Sequence, residues 1–375
     1  MANANFQSPA ALPRWDIFCR VVDNYGDIGV CWRLAVQLAL RGHPVRLFTD
    51  DPSALLWMAP EGCPGVAVQG TLEPAAPYDP ADVMVDAFGA GLSAAVVGAV
   101  ARRNSAGARA VAWINLEYLS AEPYAAASHG LASPVHGGAA AGIRKWFFFP
   151  GFTQSTGGLL REPDLAQRQA PFDRRSWLGG LGSEDRGQRY ISLFCYEARD
   201  LAPWLLSLAA GAVHRPVEVL VTHGKSQAAI RAALAQLPAD WNPGVRVTLR
   251  DLPALSQREF DHLLWSCDVN FVRGEDSLVR AIWAGIPFIW QLYPQDGDVH
   301  HAKLAAFLDI LDGPLPGPVA DGLHGYFQWW NGMGAAIAPT LAEDRWRPFF
   351  VALRARLLAQ DDLVTRLLRF VAENR

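Results

Sequence analysis

The sequence lacks the features that mark secreted, membrane-bound and nucleic-acid-binding proteins. Its five cysteines form no CxxC pair and lie mostly in apolar segments, which favours buried free thiols over disulfides or a zinc site. No apolar run reaches the ~20 residues that a membrane-spanning helix needs, so we expect no membrane partner. The formal net charge is −4 and no lysine- or arginine-rich run occurs, so we expect no nucleic-acid partner.

Several common motifs of catalysis and cofactor binding are also missing. No GxGxxG follows the first predicted strand, which argues against a dinucleotide cofactor, and no GxSxG indicates a hydrolase. The segment His223–Lys225 follows a predicted strand but lacks the spacing of a P-loop. The segment Asp296–Asp298 matches a DxD metal motif, yet three loop residues of this kind occur by chance. We therefore predict neither a metal site nor a cofactor.

The composition is that of a folded globular protein with a short polar leader. Hydrophobic residues make up 51% of the chain and charged residues 19%. The first residues, Met1 to Pro13, are small and polar and lack the basic-then-apolar pattern of a signal peptide. We therefore expect residues 1–13 to be disordered and the protein to be cytoplasmic.

The rest of the chain alternates short apolar runs with helical patterns, which predicts βαβ units and parallel sheets. A length of 375 residues exceeds one ordinary hydrophobic core, so we expect two domains. The glycine-, arginine- and aspartate-rich segment Thr153–Gly187 shows little periodicity and is interpreted as a linker with loops. The predicted fold class is α/β, with two Rossmann-like domains, residues 14–180 and 181–350, facing one cleft. We also expect a C-terminal helix within 351–375, which can pack back on the first domain.

One polar turn follows the first predicted strand, Trp15–Val22. Asp23 and Asp27 lie in this turn, just before a helical pattern begins. In an open α/β sheet, ligands bind at the carboxyl ends of the strands, which is where these two carboxylates are expected. Gly26 and Gly29 permit a tight turn and the close approach of another molecule. Because aspartate, asparagine and glycine are also ordinary turn formers, this stretch alone fits a site and a plain turn equally well.

A second candidate site begins where the predicted strand that ends at Val272 meets a helix. Helix amino ends present unpaired N–H groups that suit phosphate, and Arg273 can add a bidentate contact to a pyrophosphate oxygen. Glu275 can accept hydrogen bonds from sugar hydroxyls. In the alternative, Asp276 or Ser277 only caps the helix, and Arg273 pairs with Glu275. The strand end and the glycine that follows it favour the site.

Three stretches resemble one family of bacterial enzymes. They are WDIFCRVVDNYGDIGVCWRLA, ISLFCYE and LSQREFDHLLWSCDVNFVRGEDSLVRAIWAGIPFIWQLYPQ. They are similar to the EarP family of protein-arginine rhamnosyltransferases, and the similarity extends from about Trp15 to the end of the chain. The resemblance implies a GT-B glycosyltransferase fold, dTDP-β-L-rhamnose as the donor substrate and translation elongation factor P as the protein acceptor. It also implies that the first domain binds the acceptor and the second the nucleotide sugar.

The resemblance further implies roles for individual acidic and basic residues. It makes Asp27 the general base and Asp23 its partner, and the two can also share the proton or exchange roles. Glu275 completes the catalytic set and holds the donor. The residues around the nucleotide diphosphate are Arg273, Asp276 and Ser277.

Aromatic residues are expected to surround the rest of the donor. Tyr196 and Tyr293 resemble the diphosphate-binding tyrosines of the family. Phe194 and Phe260 lie where the family has aromatic residues near the nucleotide, and Phe260 can stack on thymine. Gln257 lies beside it and can read the edge of the base.

The chemistry explains why such an enzyme needs carboxylates. An arginine guanidinium has a pKa above ~12, and its delocalised charge makes the nitrogen a poor nucleophile. Paired carboxylates can bind the guanidinium fork, and one of them can take a proton as the C–N bond forms. Attack opposite the leaving diphosphate predicts an inverting transferase that uses no metal. The alternatives are a GT-B transferase with another nucleotide sugar or acceptor, and a non-catalytic nucleotide-sugar-binding protein.

Overall fold

The structure is a computed structural model that describes residues 12–22, 25–106, 109–135, 141–196, 200–213, 215–293, 299–312, 317–334 and 338–374. Most of the segment 1–13, predicted to be disordered, lies outside these residues. Asp23 and the segment Asp296–Asp298 also lie outside them.

The first half of the chain forms a seven-stranded sheet with its connecting helices. The elements are β1 (Trp15–Cys19), α1 (Gly26–Leu40), β2 (Val45–Thr49), α2 (Leu55–Met58), β3 (Val66–Gln69), β4 (Val83–Ala87), α3 (Ala94–Ser105), β5 (Ala112–Leu116), α4 (Pro123–Ser128), β6 (Ala132–Pro134) and β7 (Arg144–Phe148). The strand order is β3-β2-β1-β4-β5-β7-β6. Neighbouring strands are parallel, except that β6 runs antiparallel to β7. All residues of β1 are buried, as expected for a parallel strand that is covered on both faces.

The second half forms a five-stranded parallel sheet after two short connecting helices, α5 (Leu165–Gln169) and α6 (Arg174–Gly180). The elements are β8 (Arg189–Leu193), α7 (Leu201–Gly211), β9 (Val217–Val221), α8 (Lys225–Leu234), β10 (Val247–Asp251), α9 (Gln257–Ser266), β11 (Val269–Arg273), α10 (Gly274–Ala284) and β12 (Phe288–Gln291). The strand order is β10-β9-β8-β11-β12.

Four helices in the described part follow the second sheet: α11 (Val299–Asp312), α12 (Pro318–Trp330), α13 (Glu343–Leu358) and α14 (Leu363–Asn374). Trp346 and Phe350 of α13 belong to the core of the second sheet. Leu363 and Leu367 of α14 belong to the core of the first sheet. The end of the chain therefore returns to the first half.

Both sheets have a point at which the strand order reverses. In the first sheet β1 lies between β2 and β4, and in the second β8 lies between β9 and β11. A crevice opens outside the carboxyl ends of the strands at such a point, and ligands bind in it. The loops after β1, β4, β8 and β11 are therefore the ones that the fold makes available for a site.

Two boundaries differ from the sequence prediction. The first strand ends at Cys19 rather than Val22, because the N–H groups of Val21 and Val22 are bound by the side chains of Asp50 and Asp27, both at 2.9 Å. The interpretation of Thr153–Gly187 as a linker with loops was wrong in part, because α5 and α6 lie within it. The sequence signal for α6 was its capping residue, Asp173, whose side chain accepts hydrogen bonds from N–H groups in the first turn of the helix. No helix in the described ranges is long and apolar enough to cross a membrane.

Candidate active site

A cleft of about 800 Å³ lies between the two halves. Tyr25 and Gly26 line it from the first half, at the start of α1. The second half contributes residues from the ends of β8 and β11 and from α9. Both crevices predicted from the strand orders therefore open into one cleft. Seven predicted donor-binding residues line it: Phe194, Gln257, Phe260, Arg273, Glu275, Asp276 and Ser277.

Asp27 lies in the first turn of α1, directly after Gly26. Its side chain is 3% exposed, and its Oδ2 accepts the N–H of Val22 at 2.9 Å. The first turn of a helix stabilises a negative charge, since the unpaired N–H groups carry partial positive charge. The fold thus holds a buried carboxylate directly after Gly26, which lines the cleft. Its predicted partner Asp23 is not among the described residues.

Glu275 lies in the first turn of α10 and is held from both halves. Its Oε2 accepts the N–H of Leu119, which follows β5, at 2.7 Å. Its Oε1 lies 2.8 Å from Nζ of Lys303 on α11. Burial raises the pKa of Glu275, although the Lys303 charge opposes this rise. The negative charge of Asp27 raises the same pKa further, so the two carboxylates act on each other across the cleft.

Arg273 ends β11 and is 5% exposed. Its guanidinium carbon lies 4.4 Å from the ring centre of Phe194 and 4.3 Å from that of Tyr196, within the range of a cation–π contact. The hydroxyl of Ser277 accepts the Arg273 N–H at 3.1 Å and donates to the Arg273 carbonyl. Gly274 between them has a φ of +67°, which favours glycine. Ser277 therefore fixes the turn that aims Arg273 at the cleft.

The two predicted diphosphate-binding tyrosines contact each other. The rings of Tyr196 and Tyr293 meet edge to face, with their centres 5.3 Å apart. Tyr196 is buried, and its N–H donates to the Gln291 side chain at 2.8 Å. Tyr293 is 55% exposed, and neither tyrosine is among the residues that line the cleft. Nζ of Lys225, in the first turn of α8, lies 5.9 Å from the Tyr196 ring and adds positive charge to this region.

The predicted base-binding residues lie on α9 and after β8. The rings of Phe194 and Phe260 meet edge to face, with their centres 5.5 Å apart. Gln257, expected to read the base edge, donates its side-chain N–H to the carbonyl of Gly29 at 3.0 Å. A Cβ on Gly29 would lie 3.3 Å from that Gln257 nitrogen, so the small residue permits the approach. The close approach that Gly29 allows is thus made by the second half of the same chain.

Asp276, expected near the diphosphate, is paired across the cleft. Its Oδ1 lies 3.0 Å from Nε of Arg33 on α1. Arg33 itself lines the cleft. Sequence reasoning missed Arg33 and Lys303. Arg33 follows Asp27 by six residues on the same helix, which was a usable signal, whereas nothing near Lys303 in the sequence pointed to it.

The carboxyl edge of the first sheet extends the site with two more carboxylates, Asp86 at the end of β4 and Glu117 just after β5. Burial raises the pKa of both side chains, and the charge of Asp86 raises that of Glu117 further. Beside them the rings of Phe88 and Tyr118 stack, with their centres 4.6 Å apart. Since Leu119 follows Tyr118 and donates its N–H to Glu275, which lines the cleft, this acidic and aromatic edge adjoins the cleft.

No group of three or more histidine, cysteine or acidic side chains is placed to hold a metal ion within the part of the chain that the structure describes. The positive groups near the donor residues are protein side chains, among them Arg273 and Lys225. The cleft therefore combines opposed carboxylates with a buried guanidinium and several aromatic faces, a combination suited to a nucleotide diphosphate and a cationic acceptor.

Comparison with known proteins relates this arrangement to one family. The family model of the elongation-factor P (EF-P) rhamnosyltransferase EarP matches residues 15–372. The protein-arginine rhamnosyltransferase of Pseudomonas putida is 44% identical, over 95% of this chain and 98% of its own length. The protein of the same name from Pseudomonas aeruginosa is 39% identical, over 96% of this chain and 99% of its own length.

Solved structures give the same relation at the level of the fold. The structure that describes EarP-mediated arginine glycosylation of translation elongation factor EF-P covers 97% of this chain and 100% of its own, with a TM-score of 0.64 and 32% identity. Arabidopsis thaliana UGT89C1, complexed with UDP-L-rhamnose, is 12% identical with a TM-score of 0.52 and covers 96% of this chain and 98% of its own. At that identity the likeness concerns the fold alone. The predicted GT-B fold, two Rossmann-like halves around a cleft, is confirmed.

Proposed function

The chain belongs to the EarP family of elongation-factor P rhamnosyltransferases, and on this premise we propose that it transfers rhamnose to an arginine side chain of elongation factor P. One observation carries the proposal. Glu275 of the second half lines the cleft, and Asp27 of the first half, next to the cleft-lining Gly26, lies close enough for its charge to raise the pKa of Glu275. A cationic acceptor needs a carboxylate that binds it and takes its proton, and a second carboxylate can hold the sugar through its hydroxyl groups.

We expect the donor to be dTDP-β-L-rhamnose, bound mainly by the second half. Arg273 neutralises the diphosphate with its guanidinium, which is held over the rings of Phe194 and Tyr196. Phe260 offers an aromatic face for the thymine, and stacking of this kind contributes about 1–3 kcal/mol per base. Glu275 accepts hydrogen bonds from the hydroxyl groups of the sugar.

The transfer step is a single displacement at C1 of the rhamnose. A nitrogen of the acceptor guanidinium forms the new C–N bond, while the C1–O bond to the diphosphate breaks and dTDP leaves with the bonding electrons. Asp27 accepts the proton that the nitrogen loses, with Asp23 as its predicted partner. Because the nitrogen attacks opposite the leaving group, the β-linked donor gives an α-linked product.

We propose that neither a metal nor a cofactor takes part in this step. Charge develops on the leaving diphosphate, and Arg273, Tyr196 and Tyr293 can meet it together with the amino end of α10. Asp276 does not oppose this, since Arg33 neutralises its carboxylate at 3.0 Å. The leaving group is thus stabilised by groups that are already in place before the reaction.

The acceptor is expected at the carboxyl edge of the first sheet. An arginine side chain is attracted to the carboxylates Asp86 and Glu117 and can stack on an aromatic face such as the half-exposed ring of Tyr118. The protein acceptor is a translation factor, which implies that the reaction takes place in the cytoplasm. Neither a membrane nor a nucleic acid is an expected partner.

The test is transfer to elongation factor P, followed by intact-mass measurement of the acceptor. The native protein and Asp27→Asn are each incubated with dTDP-β-L-rhamnose and elongation factor P. We expect the acceptor to gain one deoxyhexose with the native protein and none with the variant. Binding of dTDP, measured by calorimetry, should be unchanged in the variant, since Asp27 lies in the opposite half.

Asp50→Asn is the matched control for that variant. The Asp50 side chain also accepts one N–H of the same loop, from Val21 at 2.9 Å, but it is exposed at the end of β2. It therefore reports the effect of neutralising a carboxylate that holds this loop, without loss of the base. An equal mass gain of the acceptor with Asp27→Asn and with the native protein would show that Asp27 is not the base, and Asp23 would then be tested. If the native protein binds the donor but the acceptor gains no mass, the proposed acceptor is refuted. Transfer from UDP-sugars instead of dTDP-β-L-rhamnose would refute the proposed donor.

A further inference from the structure

Six charged side chains meet where the two halves touch, and we call them the interdomain ion-pair cluster. They are Arg33, Glu162, Arg168, Asp261, Asp276 and Arg280. Three guanidinium groups balance three carboxylates, so the formal charge of the cluster is zero. Arg33 comes from α1 of the first half, and the others come from the connection, α5, α9 and α10.

Arg33 spreads its guanidinium over three carboxylates and is 6% exposed. Its Nε lies 3.0 Å from Asp276. Its Nη1 lies 3.1 Å from Glu162, and its Nη2 lies 3.5 Å from Asp261. Only a planar fork with several donors can reach three acceptors in this way, so lysine is not an equivalent replacement.

Two carboxylates of the cluster, Glu162 and Asp261, also pair with arginines other than Arg33. Arg280 binds both oxygens of Asp261, at 2.8 and 2.6 Å, and Oε2 of Glu162 at 2.7 Å. Arg168 contacts the same two carboxylates at 3.4 Å. Glu162 and Asp261 therefore keep cationic partners when Arg33 is removed. Arg33 is the member of the cluster that comes from the first half, and its Nε forms the ion pair with Asp276.

Arg33 is rigidly linked to the catalytic groups. It stands six residues after Asp27 on the same helix, which is about 9 Å along the helix axis. Its partner Asp276 directly follows Glu275 on α10. Between these points the Gln257 side chain donates to the Gly29 carbonyl at 3.0 Å. The Arg33–Asp276 pair thus joins the helix that carries the base to the helix that carries the donor residues.

If the proposed function holds, on which this inference rests, we propose that Arg33 is a positioning residue of the transfer reaction. It holds α1 against α10, so that Asp27 faces the donor held by Glu275. It also neutralises Asp276, whose carboxylate would otherwise repel the diphosphate of the donor. The first effect acts on the chemical step and the second on donor binding, so the two can be measured separately.

The test uses Arg33→Gln, Asp276→Asn and the double variant in the full-length protein. Binding of dTDP is measured by calorimetry, and kcat by transfer to elongation factor P at saturating donor. Arg33→Gln should bind dTDP roughly tenfold more weakly, since it removes the ion pair that Asp276 forms across the two halves. The double variant should bind dTDP more tightly than Arg33→Gln, because the Asp276 charge is gone. Its kcat should remain on the order of 100-fold below that of the native protein, since small displacements of the reacting groups lower the rate by about that factor.

Arg168→Gln is the matched control. It removes another guanidinium from the same two carboxylates, Glu162 and Asp261, but Arg168 belongs to the second half and touches neither α1 nor Asp276 in the contacts that define the cluster. We expect it to lower the thermal midpoint and to leave kcat within a few-fold of native. Arg33→Lys keeps the charge without the fork, so it should retain dTDP affinity and lose part of kcat.

Three results would overturn the proposal. Each differs from failure of the proposed function, which would be seen as the absence of transfer by the native protein. Equal loss of kcat in Arg168→Gln and Arg33→Gln would assign the effect to general destabilisation. Binding of dTDP that is no tighter in the double variant than in Arg33→Gln would make Arg33 a direct ligand of the donor. Native kcat in Arg33→Lys or in the double variant would show that the tie between the two helices is not needed.

Discussion

Removal of the Lys303 charge should shift the pH dependence of transfer towards alkaline pH. Lys303 lies on α11, and its Nζ is 2.8 Å from Oε1 of Glu275. In Lys303→Met the side chain keeps its length but loses the cation. Glu275 then keeps the two influences that raise its pKa, its burial and the charge of Asp27, and loses the charge that opposed them. Its protonated form becomes more favourable, and a protonated Glu275 holds the sugar less well.

The magnitude follows from the strength of one charge-assisted hydrogen bond. Such a bond contributes about 1.5–3 kcal/mol, and one pH unit corresponds to about 1.4 kcal/mol. Both partners are mostly buried, with 24% and 18% of their side chains exposed, so solvent screening removes little of this. We therefore expect the acidic limb of the kcat/KM profile to move up by roughly one to two pH units. Above that limb the variant should approach the native rate.

The assay is the initial rate of transfer as a function of pH, with subsaturating donor. Lys225→Met is the control, since it removes a cation that lies 5.9 Å from the Tyr196 ring. It should weaken donor binding at every pH without moving the limb. The reasoning would be refuted if a folded Lys303→Met kept the native limb, or if Lys225→Met moved it by the same amount.

Four further predictions concern the donor pocket, the metal requirement and the stability of the fold. Phe194→Ala should weaken dTDP binding by roughly tenfold in calorimetry, since it removes one aromatic face of the pocket. Transfer should persist after dialysis against EDTA, and loss of activity that Mg²⁺ restores would contradict the metal-free mechanism. Burial raises the pKa of Glu162, but the charges of Arg280 and Arg33 lower it by more, so this pKa is lowered in the folded protein. The ionised carboxylate therefore stabilises the fold above the unfolded-state pKa of ~4.3, and this stabilisation is lost as the pH falls. Glu162→Gln should therefore lose about 3 kcal/mol in urea unfolding at neutral pH, and less in acid. Leu367→Ala on α14 should lose about 2–5 kcal/mol in the same assay, because this fully buried side chain belongs to the core of the first sheet.

The sequence predicted those parts of the site that depend on neighbouring residues. The apolar run that ends at Arg273 indicates a buried strand, and the glycine after it marks the turn into a helix. The polar turn before α1 likewise follows a buried strand. Since parallel strands end at one edge of their sheet, local sequence patterns predicted that both turns lie at such an edge, and the family resemblance was needed to interpret the first turn as a site. The GT-B arrangement of the halves followed from the family resemblance and from the two series of strands.

The partners of the charged side chains could not be predicted in this way. Glu275 pairs with Lys303, 28 residues away, and Arg33 pairs with Asp276, 243 residues away. A charged residue in a local pattern has many equivalent partners, and the choice among them is made by how helices of different halves pack. For the same reason Ser277 could be read as a ligand or as part of the helix start, and only its contacts with the Arg273 backbone show the local role.

Three predicted donor ligands also form contacts between the two halves, and this ties donor binding to the position of the halves. These ligands are Glu275, Asp276 and Gln257. Each is bonded to a group of the first half: the Leu119 N–H, the Arg33 guanidinium and the Gly29 carbonyl. If the bound donor displaces one of these contacts, it must loosen the interface between the halves. If it leaves the contacts in place, it binds to halves that are already aligned. By thermodynamic linkage, a change at one of the first-half partners must then alter donor affinity without touching the donor. The base and the donor can therefore be brought together by the same side chains that recognise the donor, with no separate closing element.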